Sequence, residues 1–294
     1  MDKLIIEVRT NEYVSRDTNP NLPFTSEEIA RDAAECREAG AAIFHFHARK
    51  ADGSPSHDTQ HYADTVRLIR GQCDLLIHPT LGFTTATNDK DRIAPLMALA
   101  ADPATKPDIA PMDMGSTNVD TYDHRNNRFL TKDKVYANAI GTLEFFARTL
   151  RESGVIPSML AWSIPDTRTI EAFLALGWVS EPAFITFVVS DSYIGAHPAT
   201  AAGLDAHLMF LPKNRRVHWS VIAKGTSILP FAETAIGRGG HVSLGLGDYG
   251  YPELGTPRNA DLVRRVVALA KAAGREIATP QEARQMLTHV DHRA

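Results

Sequence analysis

The chain lacks most of the features that would divert it from an ordinary globular fold. Only two cysteines, Cys36 and Cys73, occur in 294 residues. That is too few for a disulfide framework, and both lie in or beside segments with helical patterning. Two free thiols in a reducing cytoplasm are expected. No run of five or more like charges occurs, and a formal net charge of -4 with a pI near 6.3 leaves no basic footprint for nucleic acid or an anionic membrane surface. Long apolar runs are missing too. The opening MDKLIIEVRT is interrupted by Glu7 and Arg9, too soon for a signal peptide or membrane anchor. No linker rich in Pro, Gly and Ser, no internal repeat, and no GxGxxG or Walker sequence appears. One domain over residues 1–294 is expected.

What is present is a steady alternation. Eight strand-like runs, LIIEVR (Leu4 to Arg9), AAIFHFH (Ala41 to His47), DLLIHP (Asp74 to Pro79), DIAPMD (Asp108 to Asp113), SMLAW (Ser158 to Trp162), AFITFVV (Ala183 to Val189), HWSVIA (His218 to Ala223) and HVSLGL (His241 to Leu246), are separated by longer segments. The clearest helical patterns are TSEEIARDAAECREAG, TNDKDRIAPLMALA, KVYANAIGTLEFFARTLRESG and NADLVRRVVALAKAAG. Thr25 and Glu28 form a capping box, Gly40, Gly154 and Gly274 sit where helices end, and Asn259 is placed as an N-cap. Eight strand-helix units match a (β/α)8 TIM barrel, an α/β fold, and ATPQEARQML adds one C-terminal helix.

The polar residues at strand ends carry the chemistry. In IFHFHAR the side chains of His45 and His47 share one face, and the second lies near the strand's C-terminal end, where barrels place their active sites. Two neutral imidazoles can grip one ion: zinc first, with manganese, iron or cobalt also suited. Alternatively they are two core histidines satisfied by backbone or carboxylate. Glu7, Arg9 and Asn11 share a face of the first strand, His78 and Thr80 end the third, Asp113 ends the fourth and Asp248 follows the eighth. Charges inside apolar strands are costly unless paired or coordinated, so Glu7 either ligates a metal or pairs with Arg9 or a neighbouring strand. Trp162 forms an apolar wall over a substrate or fills core. Lys224, Gly225 and Arg238 follow or flank the last strands, where anions often bind, or else are plain surface residues. His241 reads as structural.

Nearly the whole chain resembles the β-keto acid cleavage enzyme family, whose founding activity is 3-keto-5-aminohexanoate cleavage. The resemblance rests on NPNLPFTSEEIARDAAECREAGAAIFHFHAR, IAPLMAL, KPDIAPMDMGSTN, GGHVSLGLGDY and NADLVRRVVALAKAAGREIATPQEAR. It implies a zinc-dependent (β/α)8 barrel, oligomeric and commonly tetrameric, that converts a β-keto acid and acetyl-CoA into acetoacetate and the acyl-CoA of the remaining fragment. His45 and His47 match the family's zinc histidines, and Asp248 its catalytic aspartate. This chain departs from the family at Gly247, where a zinc-binding glutamate is usual, and at Ser243, where an arginine is usual. It departs also at Leu160, Pro111 and Thr80, which stand for a glutamate, a threonine and a serine. It therefore resembles a divergent branch.

Within that frame Glu7 is expected to replace the missing metal carboxylate, with His78 competing, and Arg9 to supply the missing positive charge. The metal polarises a ketone, Thr80 with the backbone amides around Gly82 holds the substrate carboxylate, and Asp248 acts as the base or orients one. Asn11, Asp113 and Trp162 complete the substrate site. Two rival readings are an amidohydrolase-like metal hydrolase, which needs further histidine ligands after strands five and six, and a metabolite-binding barrel without chemistry.

Overall fold

The computed structural model describes residues 2–12, 14–82, 86 and 88–288. Four strands open the fold: β1 (Ile6–Arg9), β2 (Ile43–Phe46), β3 (Leu76–Pro79) and β4 (Ile109–Asp113). Between β1 and β4 lie α1 (Ser26–Ala39), α2 (Thr59–Arg70) and α3 (Asp89–Ala100). An excursion over residues 114–139 holds four two-residue strands, β5 (Thr117–Asn118), β6 (Tyr122–Asp123), β7 (Arg128–Phe129) and β8 (Val135–Tyr136). The barrel then resumes with α4 (Ile140–Ser153), β9 (Ile156–Ala161), α5 (Ile164–Ala175), β10 (Ala183–Ser190), α6 (Ala201–Met209), β11 (Val217–Lys224), α7 (Leu229–Gly237) and β12 (His241–Leu244). It ends with α8 (Asn259–Ala272) and α9 (Pro280–Thr288).

The eight long strands are parallel in the order β3-β2-β1-β12-β11-β10-β9-β4. Asp108 draws the ends of that order together: its amide donates to Ile77 O at 3.0 Å, and its Oδ2 accepts from Ile77 N at 2.8 Å. The result is a nearly closed (β/α)8 barrel. Each expected strand run overlaps one of these eight strands; β9 begins two residues before its run, and β10 and β11 extend one residue beyond theirs.

Helix signals act as expected at several ends. Glu28 N donates to Thr25 Oγ1 at 3.3 Å while Thr25 N donates to Glu28 Oε2 at 3.0 Å, and Gly40 ends α1 in the left-handed region. Two expectations are corrected. The segment from Lys134 is not helical until Ile140, because β8 pairs antiparallel with β5 and Asn138 N donates to Ser116 Oγ at 2.8 Å. Tertiary pairing overrides helical patterning here. Asn259 is the first residue of α8 and not its cap: its Oδ1 accepts from Leu246 N at 2.8 Å and its Nδ2 donates to Asp32 Oδ2 at 2.8 Å. Thr87, the first residue of the third helical pattern, lies outside the described residues.

The barrel interior is layered. At the N-terminal end, Ile5, Ile43, Leu76, Ile109 and Phe184 pack with Ala283 and Leu287 of α9, so the extra helix closes that end. His241 accepts there from Ile5 N through Nδ1 at 3.0 Å, the structural role expected for it. Above lies a polar layer of linked side chains: Ser158 to Thr186 at 3.3 Å, Thr186 to Ser220 at 2.9 Å, Ser243 to Glu7 at 2.8 Å and Glu7 to His78 at 2.5 Å. Phe44 and Phe46 face outward into the main apolar cluster between barrel and helices. With the lower end sealed, the site belongs at the upper one.

Candidate active site

A cavity of about 550 Å³ opens at the C-terminal end of the barrel strands. Its walls bring together Arg9, His45, His47, Thr80, Asp113, Trp162 and Lys224, all singled out from sequence, with Glu12, which sequence reasoning missed. Pro111 and Leu160 also line it, and Tyr136 and Tyr193 add aromatic walls.

The two histidines are placed by the pleat of β2 and by a clamp on its end. Asn11 Oδ1 accepts from His47 N at 2.9 Å, and Asn11 Nδ2 donates to His47 O at 3.0 Å. Asn11 is thus spent on backbone and does not line the cavity. The imidazole Nε2 atoms lie 3.1 Å apart, with Glu12 Oε1 3.4 Å from His45 Nε2 and Glu12 Oε2 3.6 Å from His47 Nε2. A tetrahedral zinc with bonds of about 2.0–2.1 Å has ligand-ligand edges of about 3.3–3.4 Å, so two nitrogens this close, each with one Glu12 oxygen beside it, have spacings compatible with a shared ion. Buried His45 Nδ1 has no hydrogen-bond partner, which leaves that ring held chiefly through its other nitrogen. Among the described residues, Glu12, His45 and His47 form the group that could hold a metal ion.

Protonation states suit this task. Burial, followed by the nearby Arg9 charge, holds His45 well below the ordinary imidazole range. Burial takes His47 down to about 3 against the opposing pull of Glu12. Burial pushes the Glu12 carboxyl up, but Arg9, Lys224 and His47 outweigh it and keep it well below the usual carboxylate range. Two neutral nitrogens and one carboxylate are what a divalent ion requires.

Charges alternate around Glu12. Arg9 bonds Glu12 through Nη2 and lies 3.3 Å from Asp248 Oδ2 through Nε, while Lys224 Nζ lies 3.3 Å from Glu12 Oε2 and 2.9 Å from Asp248 Oδ1. Arg9 Nη1 is buried without a partner, and Asp248 Oδ2 accepts no hydrogen bond. Burial raises the Asp248 carboxyl, opposed by Lys224 and Arg9. On the far wall, Asp113 accepts from Trp162 Nε1 at 2.6 Å and from Tyr136 OH at 2.9 Å.

Several expectations are placed elsewhere. Glu7, expected as the metal carboxylate, lies one layer below with its oxygens on His78 and Ser243, so both it and the competing His78 are engaged with each other. Strand alternation made Glu7 look eligible, but the carboxylate that faces the histidine pair comes from just beyond the strand end. Asp248 stands behind Arg9 and Lys224 and is not among the described lining residues, nor is Gly82, after which residues 83–85 lie outside the described chain. Arg238 ends α7 and pairs with Asp205. The signal for Glu12 was available: an acidic residue just past the C-terminal end of a barrel strand.

Comparison with known proteins places the chain in a family. A profile of the beta-keto acid cleavage enzyme family matches residues 3–288. The 3-keto-5-aminohexanoate cleavage enzymes of Fusobacterium nucleatum subsp. nucleatum and Acetoanaerobium sticklandii are each 32% identical, covering 98% of this chain and 98% of theirs. A 3,5-dioxohexanoate:acetyl-CoA acetone transferase of Paraburkholderia graminis is 26% identical over 92% of this chain and 90% of its own. Among solved structures, apo ObcA superposes with a TM-score of 0.69 at 14% identity, covering 91% of this chain and 65% of ObcA, which supports the barrel fold. With a family match over nearly its full length and a histidine pair at the mouth of a (β/α)8 barrel, this chain belongs to the beta-keto acid cleavage enzyme family.

Proposed function

We propose that the protein cleaves a β-keto acid by acyl exchange with acetyl-CoA, giving acetoacetate and the acyl-CoA of the remaining fragment, at a divalent metal held by Glu12, His45 and His47. The observation that carries this reading is the convergence of those three donors beside two cationic side chains at the family's barrel mouth. Zinc suits the donor set, and when bound it supplies a Lewis acid for the keto oxygen.

The chain's own groups divide the remaining work. Arg9 Nη1 and Lys224 Nζ offer positive charge to the substrate carboxylate and to the oxygen that gains charge on enolisation, and Thr80 adds a hydroxyl on the same wall. Asp248, behind the cavity wall, acts through its two ion pairs, holding Arg9 and Lys224 where they acidify the carbon between the two carbonyls. Trp162, Leu160, Pro111 and Tyr193 enclose the acyl fragment away from water. Homologues named as acetyl-CoA-dependent transferases support acetyl-CoA as co-substrate. The amidohydrolase alternative is weaker, because among the described residues no further histidine joins His45 and His47 in the metal-capable group.

The protein is further read as a cytoplasmic homo-oligomer. Exposed Ile140 and Leu176 beside a groove lined by Pro165 and Trp178 support assembly, and no described helix is long and apolar enough to cross a membrane. Sedimentation of the purified protein checks the assembly.

The functional test is a panel of β-keto acids with acetyl-CoA, followed by mass spectrometry of acetoacetate and acyl-CoA, before and after chelation. Turnover that is lost on chelation and restored by zinc is expected. Undiminished turnover after metal is stripped to below a tenth of stoichiometry would defeat the metal role.

A further inference from the structure

Position 247 is a glycine for a reason that lies at the end of β1 and in the loop that follows it. A Cβ there would stand 2.7 Å from Cγ of Glu12, 2.7 Å from the Glu12 amide nitrogen and 2.8 Å from Arg9 O. Non-bonded carbons pack at about 3.5–4.0 Å, so even a methyl group at this position collides with the stem of Glu12. Neither side has room to yield. Gly247 N donates to Arg9 O at 3.1 Å, tying the turn after β12 to the end of β1. From the opposite side the Arg49 guanidinium donates to the carbonyls of Asn11 and Glu12 and to Val14 O at 2.7 Å, fixing the loop that carries the carboxylate. Glu12 itself adopts a positive φ of 20°, a conformation the loop must enforce.

We propose that Gly247 is a positioning residue for metal binding: the space left by its missing side chain is the opening through which Glu12 reaches His45 and His47. The inference rests on the metal reading above and deepens it. It makes positions 12 and 247 mutually exclusive, so that the third protein ligand comes from the loop after β1 because the turn after β12 carries no side chain there. Asp248, the next residue, is left to face Lys224 and Arg9.

The test is a double-mutant cycle read by zinc affinity, measured by competition with a chromophoric chelator, and by the visible spectrum of the cobalt-loaded protein. Glu12→Ala is expected to weaken zinc binding at least tenfold. Gly247→Ala removes no donor atom, yet is expected to weaken zinc binding by about 10–100-fold, the size of effect seen when groups supporting a ligand are altered, and to change the cobalt spectrum. The Glu12→Ala/Gly247→Ala double variant is expected to bind no more weakly than Glu12→Ala, since the methyl group then has no ligand to displace. Wild-type affinity in Gly247→Ala, or penalties that multiply in the double variant, overturns the proposal. Should Gly247→Ala fail to fold, folded Glu12→Ala with wild-type zinc affinity overturns it alone. A wild-type protein that takes up neither zinc nor cobalt removes the metal reading itself, a result distinct from loss of coupling between the two positions.

Discussion

Arg9 Nε lies 3.3 Å from Asp248 Oδ2, a contact that joins the first barrel strand to the turn after the last. Both side chains are almost fully buried, and both share further partners, Arg9 with Glu12 and Asp248 with Lys224. Each charge is tolerated because the next one around the ring opposes it. This closed alternation keeps Glu12 ionised and gives the turn after β12 a fixed position.

Replacing Asp248 by Asn keeps the shape and removes one charge of the ring that holds Arg9 and Lys224. We expect kcat to fall by about 10²-fold as those cations lose their fixed position, with no loss of stability at neutral pH, because burial raises the Asp248 carboxyl and so disfavours its ionised form in the fold. Steady-state kinetics and urea unfolding measure the two effects. Retention of more than half the wild-type kcat would show that this charge does not position the cations.

Glu7 should separate cleanly from Glu12 and His45 in metal analysis. Glu7→Gln weakens the buried contact to His78, at 2.5 Å, and is expected to cost about 1–3 kcal/mol of stability while leaving zinc content at the wild-type level. His45→Ala should lose zinc and turnover together. Loss of zinc in Glu7→Gln to the same degree would return the ligand role to Glu7.

Asp32 gives the fold a pH dependence of its own. Burial pushes its carboxyl up to about 7, against the hydrogen bonds from Thr10 and Asn259 that favour the ionised form. In the unfolded chain the same group titrates near about 3.9. The folded state therefore holds a proton that the unfolded state has released, so the stability from this group is fully present below about pH 4 and is lost as pH rises through about 7. At pH 8, Asp32→Asn should exceed the wild type by roughly 2–4 kcal/mol, and the advantage should fade by pH 4. Thermal unfolding across that range would contradict this if the two proteins ran parallel.

The sealed lower end of the barrel should matter for stability and not for chemistry. Leu287 of α9 is buried against Ile5, Ile43 and Phe184. Leu287→Ala is expected to cost about 2–5 kcal/mol and leave kcat and zinc affinity unchanged, because it acts at the end of the barrel opposite the cavity. A fall in zinc affinity would mean that the two ends are coupled.

The sequence alone determined the barrel, the capping of α1, the closing helix, and the convergence of Arg9, His45, His47, Thr80, Asp113 and Trp162 on one cavity. These rest on local rules: alternation along strands, helical spacing, and the position of strand ends in a parallel barrel. Family resemblance was legible in the same segments. Tertiary structure alone decided which carboxylate meets the histidines. Alternation assigns Glu7 to the interior but says nothing of depth, and Glu7 lies in the layer where His78 and Ser243 close around it. Glu12 lies past the last residue of β1, where period two no longer applies, and its direction is set by Arg49 on one side and by the empty position at Gly247 on the other. The excursion over residues 114–139 was equally hidden, because its two-residue strands are stabilised by pairing with each other and by Tyr136 reaching Asp113. Local pattern fixes which face a side chain takes, whereas contacts between residues distant in sequence fix what it meets there.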